Sequence, residues 1–307
     1  SRARGKEAEC GMGYINIFIG SEETVRVKEG KLVVREGREG FPLEDINCVM
    51  ADNLRINVSL YALNELMKTG ATVIFCDEKH TPSACLLPFG GYYRRLSVLE
   101  LQTALPKPRK KRLWQAIVRC KLEGQAACLH FYGKGEEAEK MEELAARVVS
   151  NDADNREAEG ARLYFPALFG KGFTRGEENG VNGMLNYAYA IVRSLIARHL
   201  CARGFECAYG IFHKNQFNAF NLADDILEPF RPIVDCFAAS LPPGEPDPAR
   251  KRELFRIVNL EVDSGGQAHS LSNAVERTAE SLLAYYKGER DDLVMPRLSG
   301  LREHLYE

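Results

Sequence analysis

Between Leu113 and Phe131 the chain reads LWQAIVRCKLEGQAACLHF, and this stretch decides the fold. Leu113, Trp114, Ile117, Val118, Leu122, Ala126 and Leu129 recur every three to four positions, the period of one face of an α-helix. The same period begins at Leu96 and continues downstream. Amphipathic stretches cover Leu96–Leu105, Leu113–Phe131 and Glu136–Val149, then Gly183–Leu200, Leu222–Ala239 and Ser272–Tyr286. Leu105–Pro108 (LPKP) separates the first two, and Leu241–Pro248 (LPPGEPDP) carries too much proline to be anything but an exposed loop. Asp263–Gln267 (DSGGQ) reads as a tight turn. Upstream the period is that of strands. Tyr14–Ile19, Glu23–Val27, Lys31–Arg35, Pro42–Met50, Ala71–Cys76 and Pro82–Pro88 are short β-rich runs, interrupted by one helical segment, Leu60–Lys68, that stops at Gly70. The expected fold class is therefore α+β. A flexible extension (SRARGKEAEC) spans 1–11, a small β-rich N-terminal domain spans 12–95, and a larger, all-helical domain spans 96–307. Met12 is a candidate native start.

Composition bounds the function. The 307 residues are 45% hydrophobic and 27% charged, as in a globular protein, and no run approaches the ~18 apolar residues of a membrane helix. The nine cysteines form no CxxC pair and leave an odd one over, which fits a reducing cytosol rather than a disulfide framework or a zinc site. A formal net charge of −2 does not by itself suggest nucleic acid. The positive charge is concentrated locally: between Tyr92 and Leu122 stand Arg94, Arg95, Lys107, Arg109, Lys110, Lys111, Arg112, Arg119 and Lys121 against Glu100. Within this cluster Lys107, Arg109, Lys110, Lys111 and Arg112 are the candidate contacts to a DNA backbone. Tyr92 and Tyr93 suit either stacking on frayed bases or packing at the domain junction.

Two segments carry the chemistry. Tyr209–Asp235, YGIFHKNQFNAFNLADDILEPFRPIVD, is dense in ligand-positioning side chains interleaved with Phe212, Phe217 and Phe220. Asp225 and Glu228 stand three apart, one turn along a helical face, where two carboxylates repel unless a cation is near. In Asn151–Gly170, NDADNREAEGARLYFPALFG, Asn151, Asp152 and Asp154 are helix-start residues. Glu157 and Glu159 are two apart and cannot share a helical face. A histidine and a few carboxylates from separate segments suit Mg²⁺ or Mn²⁺, yet the same residues equally suit a buried histidine and helix-capping acids.

The wording of these segments resembles that of the CRISPR-associated integrase, the larger of the two universal adaptation proteins, and in particular the branch that accompanies a single large RNA-guided DNA nuclease. NREAEGARLYF at Asn155–Phe165 resembles that branch's NREGHxAxxYF, and His213–Pro232 resembles its HxNQFNxFNLxxDxxEPFRP at nearly every fixed place. VIFCDEK at Val73–Lys79, LFGKGFTR at Leu168–Arg175, LNYAYAI at Leu185–Ile191 and LSNAVE at Leu271–Glu276 extend the resemblance from about residue 14 to about residue 285. The chain departs from the pattern at Ala158-Glu159, where the family usually has Gly-His. The spacing to Tyr164-Phe165 selects Glu157 over Glu159 as the family's glutamate. A Trp often found near the start of this branch is also missing.

The resemblance implies a metal, Mg²⁺ or Mn²⁺, held by Glu157, His213 and Glu228, with Asp225, Asn218 and Gln216 standing behind them. It implies an enzyme that joins the 3′-hydroxyl ends of short captured DNA to a CRISPR repeat by transesterification. A nuclease that only hydrolyses DNA and a non-catalytic adaptation scaffold are the alternatives. The implied partners are double-stranded DNA, a second copy in a homodimer, and a small ferredoxin-like adaptation protein bridging two dimers, all in the prokaryotic cytoplasm and without a membrane.

Overall fold

The computed structural model describes residues 14–35, 39–87 and 94–305. The expected extension over 1–11, Met12 and the Tyr92-Tyr93 pair lie outside them. The chain folds as two compact units, Ser1–Leu86 and Leu87–Glu307. The helical period anticipated near residue 95 begins there, with a helix at Arg95.

The first unit contains β1 (Ile15–Ile19), β2 (Thr24–Lys28), β3 (Lys31–Val33), β4 (Phe41–Pro42), β5 (Ile46–Ala51), β6 (Asn57–Val58), helix α1 (Leu60–Thr69), β7 (Thr72–Cys76) and β8 (Pro82–Leu86). Two four-stranded sheets form, in the orders β1-β5-β7-β8 and β4-β3-β2-β6. In the first, β1, β5 and β7 run parallel and β8 antiparallel. Parallel strands are covered on both faces, which is why β5 (INCVMA) and β7 (TVIFC) read as nearly unbroken apolar runs. Ser59 starts α1 by accepting the Ala62 N–H at 3.1 Å, and Leu66 of that helix meets Ile17, Val25, Leu32, Val49 and Val73 in one core.

The second unit contains α2 (Arg95–Ala104), α3 (Lys107–Phe131), α4 (Gly135–Ala146), α5 (Arg156–Phe169), α6 (Gly180–Ala202), α7 (Asn221–Leu227), α8 (Arg231–Ala239), α9 (Pro248–Phe255), β9 (Leu260–Ser264), β10 (Ala268–Ser270), α10 (Leu271–Lys287) and β11 (Pro296–Glu303). Helix α3 is its axis: Trp114, Ile117, Val118, Leu122 and Leu129 are all essentially inaccessible. Among the described residues no helix is long and apolar enough to cross a membrane.

The expectation of an all-helical unit needs one correction. Strands β10, β9 and β11 form an antiparallel sheet, with the anticipated DSGGQ turn joining β9 to β10. Ser264 N–H donates to Gln267 O at 2.9 Å, and Gly265 and Gly266 take φ of +70° and +81°, the left-handed pair a two-residue hairpin requires. Strand β9 (LEVDS) does alternate apolar and polar residues, but five residues between a helical segment and a turn are too short a run to stand out as a strand. The segment Leu222–Ala239 also differs from the single helix expected of it. Pro229 and Pro232 supply no N–H, and a 3₁₀ turn over Glu228–Phe230 separates α7 from α8.

Candidate active site

Glu157 stands in the first turn of α5, and the residues before it explain why the helix begins there. Asn151, Asp152 and Asn155 adopt φ of +64°, +48° and +55°, a region that Asn and Asp tolerate better than other side chains. That backbone curls Asp152 over the helix end, where its carboxylate accepts the N–H groups of Arg156 (2.8 Å) and Glu157 (3.1 Å). Gly160, one turn after Glu157, sits against α3: an added Cβ would collide with Leu122 Cδ2. This close approach carries Glu157 to Lys121, whose Nζ donates to Glu157 Oε1 at 2.6 Å and to Glu228 Oε2 at 2.5 Å. Glu159 points elsewhere. It pairs with Arg156 at 2.6 Å and its side chain is 51% exposed, against 25% for Glu157 and 4% for Glu228.

Lys121 is thus a buried ammonium shared by two carboxylates. Burial opposes its charge, but Glu228 and Glu157 outweigh that cost and raise its pKa. Burial likewise pushes the Glu228 carboxyl up, yet Lys121 on one side and Arg231 on the other (Nε to Oε1, 2.8 Å) hold it down at about 2. Glu228 therefore remains ionised beside the Lys121 ammonium despite its burial.

His213 is fixed by a second carboxylate. Asp225 is fully buried; its Oδ2 accepts the N–H groups of Ile211 (2.5 Å) and Phe212 (3.1 Å), and its Oδ1 accepts that of His213 (3.1 Å). The same Oδ1 lies 2.7 Å from His213 Nδ1. A carboxylate already accepting three backbone N–H groups accepts here too, so the Nδ1 proton points at it and Nε2 keeps its lone pair for a ligand. The hydrogen bond to Asp225 raises the His213 pKa, and the charge of Glu228 reaches it as well. The ring packs edge-on against Trp114 (5.8 Å), which stacks on Phe212 at 4.3 Å. Gly210 admits this arrangement: a Cβ there would strike His213 O and the Asp225 carboxylate. Lys110 Nζ donates to Gly210 O at 2.8 Å and ties the loop to α3.

Of the expected ligands, Glu157 and Glu228 meet on one cation and His213 stands in the adjacent Asp225 cradle. Among the described residues no three His, Cys, Asp or Glu side chains converge in a group able to hold a metal. Asp225 spends its oxygens on the His213 loop, so its place is behind the histidine. Asn218 bonds Asp224 (2.6 Å) and the Phe220 N–H (2.9 Å), and Gln216 is exposed. The loop's hub is Asn221, absent from the expected set, which donates to Ala208 O, Asn215 O and Asn218 O.

The basic stretch divides by role. Arg109 donates to Tyr285 O (2.9 Å) and Arg290 O (3.1 Å), and Lys110 is taken by Gly210, so both work inside the fold. Lys107, Lys111 and Arg112 line a shallow cavity of ≈ 370 Å³ and remain available to an anion. Lys121 and Arg231 escaped the list of candidate site residues. The signal for Lys121 was present: a lysine seven residues from Trp114, on the same face, in an apolar run, demands buried counter-charge.

Comparison with known proteins bears on this arrangement. The family described as CRISPR associated protein Cas1 matches residues 17–243. The chain is 35% identical over 304 residues to a CRISPR-associated endonuclease Cas1 of Neisseria meningitidis serogroup C (strain 8013), covering 96% of this chain and all of the relative. It is 29% identical to a second such endonuclease, from Pyrobaculum aerophilum, over 71% of this chain and 79% of that one. Among solved structures, a casposase bound to integration product superposes with a TM-score of 0.71 at 19% identity, covering 91% and 92% of the two chains. A Cas1 protein from Thermotoga maritima gives 0.69 at 12% identity, over 92% and 99%. At such identities the structures share the fold, a strand-rich N-terminal part followed by a helical one. The sequence match carries the kinship: this chain belongs to the Cas1 family of CRISPR-associated proteins.

Proposed function

We propose that the chain is a metal-dependent DNA integrase of CRISPR adaptation, joining the 3′-hydroxyl ends of short captured DNA to a CRISPR repeat by transesterification. The observation that carries this reading is the meeting of two carboxylates, the buried Glu228 and the half-buried Glu157, on one cationic centre beside a histidine whose Nε2 is left for a ligand. Oxygen donors with one imidazole suit Mg²⁺ or Mn²⁺, and the ammonium of Lys121 already marks where these carboxylates need positive charge. Glu157, His213 and Glu228 are the residues that would hold the metal. When bound, it supplies charge against a non-bridging phosphate oxygen and favours attack by a hydroxyl.

The chain's own residues do the remainder. Asp225 fixes the tautomer and orientation of His213. Lys121 and Arg231 keep Glu228 ionised despite its burial, and Asp152 fixes the backbone that presents Glu157. Phosphoryl transfer of this kind rests on positioning and electrostatics, so no protein nucleophile is needed. Lys107, Lys111 and Arg112 are the proposed DNA-backbone contacts of the basic stretch. The proposed partners are double-stranded DNA, a second copy of the chain, and a small ferredoxin-like adaptation protein, at work in the prokaryotic cytoplasm; a chain of a Cas6-RT-Cas1–Cas2 complex contains this fold over 36% of its length, at a TM-score of 0.68 and 17% identity.

The test combines the purified chain and its small partner with a short duplex bearing free 3′ ends and a repeat-bearing plasmid. Covalent joining that needs a divalent cation and vanishes in Glu157→Ala is the expected result. Cleavage without joining would make the chain a hydrolytic nuclease, and neither reaction would leave it a scaffold.

A further inference from the structure

A cavity of ≈ 910 Å³ opens on α3 where Ala116, Arg119, Cys120 and Glu123 form a stripe at helical spacing. On an α-helix this stripe lies roughly 150° around the axis from Lys121, so the cavity faces away from the Glu157–Lys121–Glu228 cluster. Its other walls are the β9–β10 turn, α10 and the segment from Arg290 to Arg297. Four arginines enter it: Arg119, Arg277, Arg290 and Arg297.

The acids of the cavity do not match them. Asp292 takes Arg290, at 2.8 and 3.1 Å, and Glu123 lies 3.9 Å from Arg297. Asp263 is spent on the turn, where it accepts the Gly266 N–H at 3.2 Å. Arg119 and Arg277 have no acidic partner among the described residues. Arg277 lies directly against the turn, 3.4 Å from where a Cβ on Gly265 would stand, and its Nε is buried without an acceptor among the described residues. Gly266 leaves the neighbouring wall bare, since a Cβ there would meet nothing within 4 Å. Two guanidiniums at one opening, one of them with a buried N–H that meets no acceptor among the described residues, suit an anion with several acceptor oxygens. Guanidinium donors match the geometry of phosphate in pairs, and arginine suits such a role better than lysine.

We propose that this cavity is a phosphate-binding site, in which Arg119 and Arg277 grip the non-bridging oxygens of a DNA phosphodiester or of a free polyphosphate. A phosphate held there is not the one that reacts, because α3 stands between the cavity and Glu157. The DNA source rests on the reading of the chain as an integrase; the phosphate chemistry does not.

The experiment uses the full chain, in EDTA, with two probes. Inorganic pyrophosphate is titrated while thermal unfolding is followed, and a fluorescent duplex of about 30 base pairs is bound across a salt series. Wild type is compared with Arg119→Ala, Arg119→Ala/Arg277→Ala and Asp292→Asn. The double variant is expected to lose the pyrophosphate-induced rise in Tm. If the source is DNA, the slope of log K against log salt also falls by about 2, and by about 1 in Arg119→Ala. Asp292→Asn frees Arg290 and should enlarge the pyrophosphate response, an effect in the opposite direction that damage to the fold would not produce. Arg119 is exposed on its helix, so its replacement tests the site even if Arg277→Ala loosens α10. Loss of the pyrophosphate response with an unchanged salt slope identifies a free polyphosphate as the ligand. Equal responses to both probes in wild type and the double variant overturn the proposal. None of these readouts needs joining activity, so failure of the integrase reading would appear separately.

Discussion

The two sides of α3 handle positive charge in opposite ways. Toward α5 and the turn after α7 an ammonium, Lys121, is buried between two carboxylates, Glu157 and Glu228, with only 10% of its side chain exposed. On the far side, arginines outnumber acids around an open cavity. Both sides come from the same basic run, and counting charges along the chain treats Arg119 and Lys121 as equivalent. The difference is burial. A buried cation must be matched at once by its own protein, whereas an open one can wait for a partner from solution.

That contrast can be broken or sharpened by substitution, and the largest effect is expected at Glu157. Glu157→Ala should remove joining nearly completely in both Mg²⁺ and Mn²⁺, with the melting temperature reporting on folding. Retained joining would unseat Glu157 as the residue that the two-carboxylate side is built to present. Asp225→Asn comes next, with joining reduced about 10- to 100-fold, because an amide holds His213 in one tautomer less well. Hydrogen exchange at Ile211–His213 should rise with it, since those N–H groups lose a charged acceptor.

Lys121→Met takes the shared cation from Glu157 and leaves the buried Glu228 with Arg231 alone. In EDTA it should cost about 3–5 kcal/mol of stability, read by urea unfolding. No comparable loss should follow Arg119→Ala on the other side, and equal losses would erase the contrast. The acid limb gives a related test. Glu228 is held at about 2 against an ordinary 4.5, so its contribution is fully present above pH 4.5 and is lost as pH falls from there toward 2. It amounts to about 3 kcal/mol, and in Lys121→Met this limb should flatten. Smaller still is the replacement of Lys107, Lys111 and Arg112 by Ala, which should lower the salt slope of DNA binding by up to about 2.7. Lys110→Ala should leave that slope unchanged and loosen the loop at Gly210 instead. The least effect is expected from Glu159→Ala, since a solvent-screened surface pair with Arg156 adds little to stability, with joining essentially intact.

What the sequence made legible follows from what local patterns encode. Period alone located α1, α3, α6 and α10, and the two dense polar segments contain every carboxylate that meets Lys121 or His213. Burial is a tertiary property, and a count of charges, which carries no depth, places Lys121 in the same basic stretch as Arg119. Asp152 was legible as a helix-start residue, but the left-handed residues around it that curl it over α5 were not. The broken α7–α8 segment was written in Pro229 and Pro232, yet its apolar period runs smoothly through both. Helix α9 begins at Asp247-Pro248, a start signal hidden at the end of a proline-rich loop. Arg109 and Lys110 were grouped with Lys107, Lys111 and Arg112 by density, and only the fold shows that carbonyl oxygens of the chain claim the first two.

Trp114 is the sole tryptophan of the chain, and it lies face to face with Phe212 and edge-on to His213. All intrinsic indole emission therefore originates beside the loop that carries the histidine. Excited at the red edge of the aromatic band, the unlabelled protein reports optically on that loop, since its indole is buried and any opening toward water shifts the emission to longer wavelength. Stopped-flow mixing with metal or DNA can then time the rearrangement of the site in the native chain, with no dye attached and no residue exchanged.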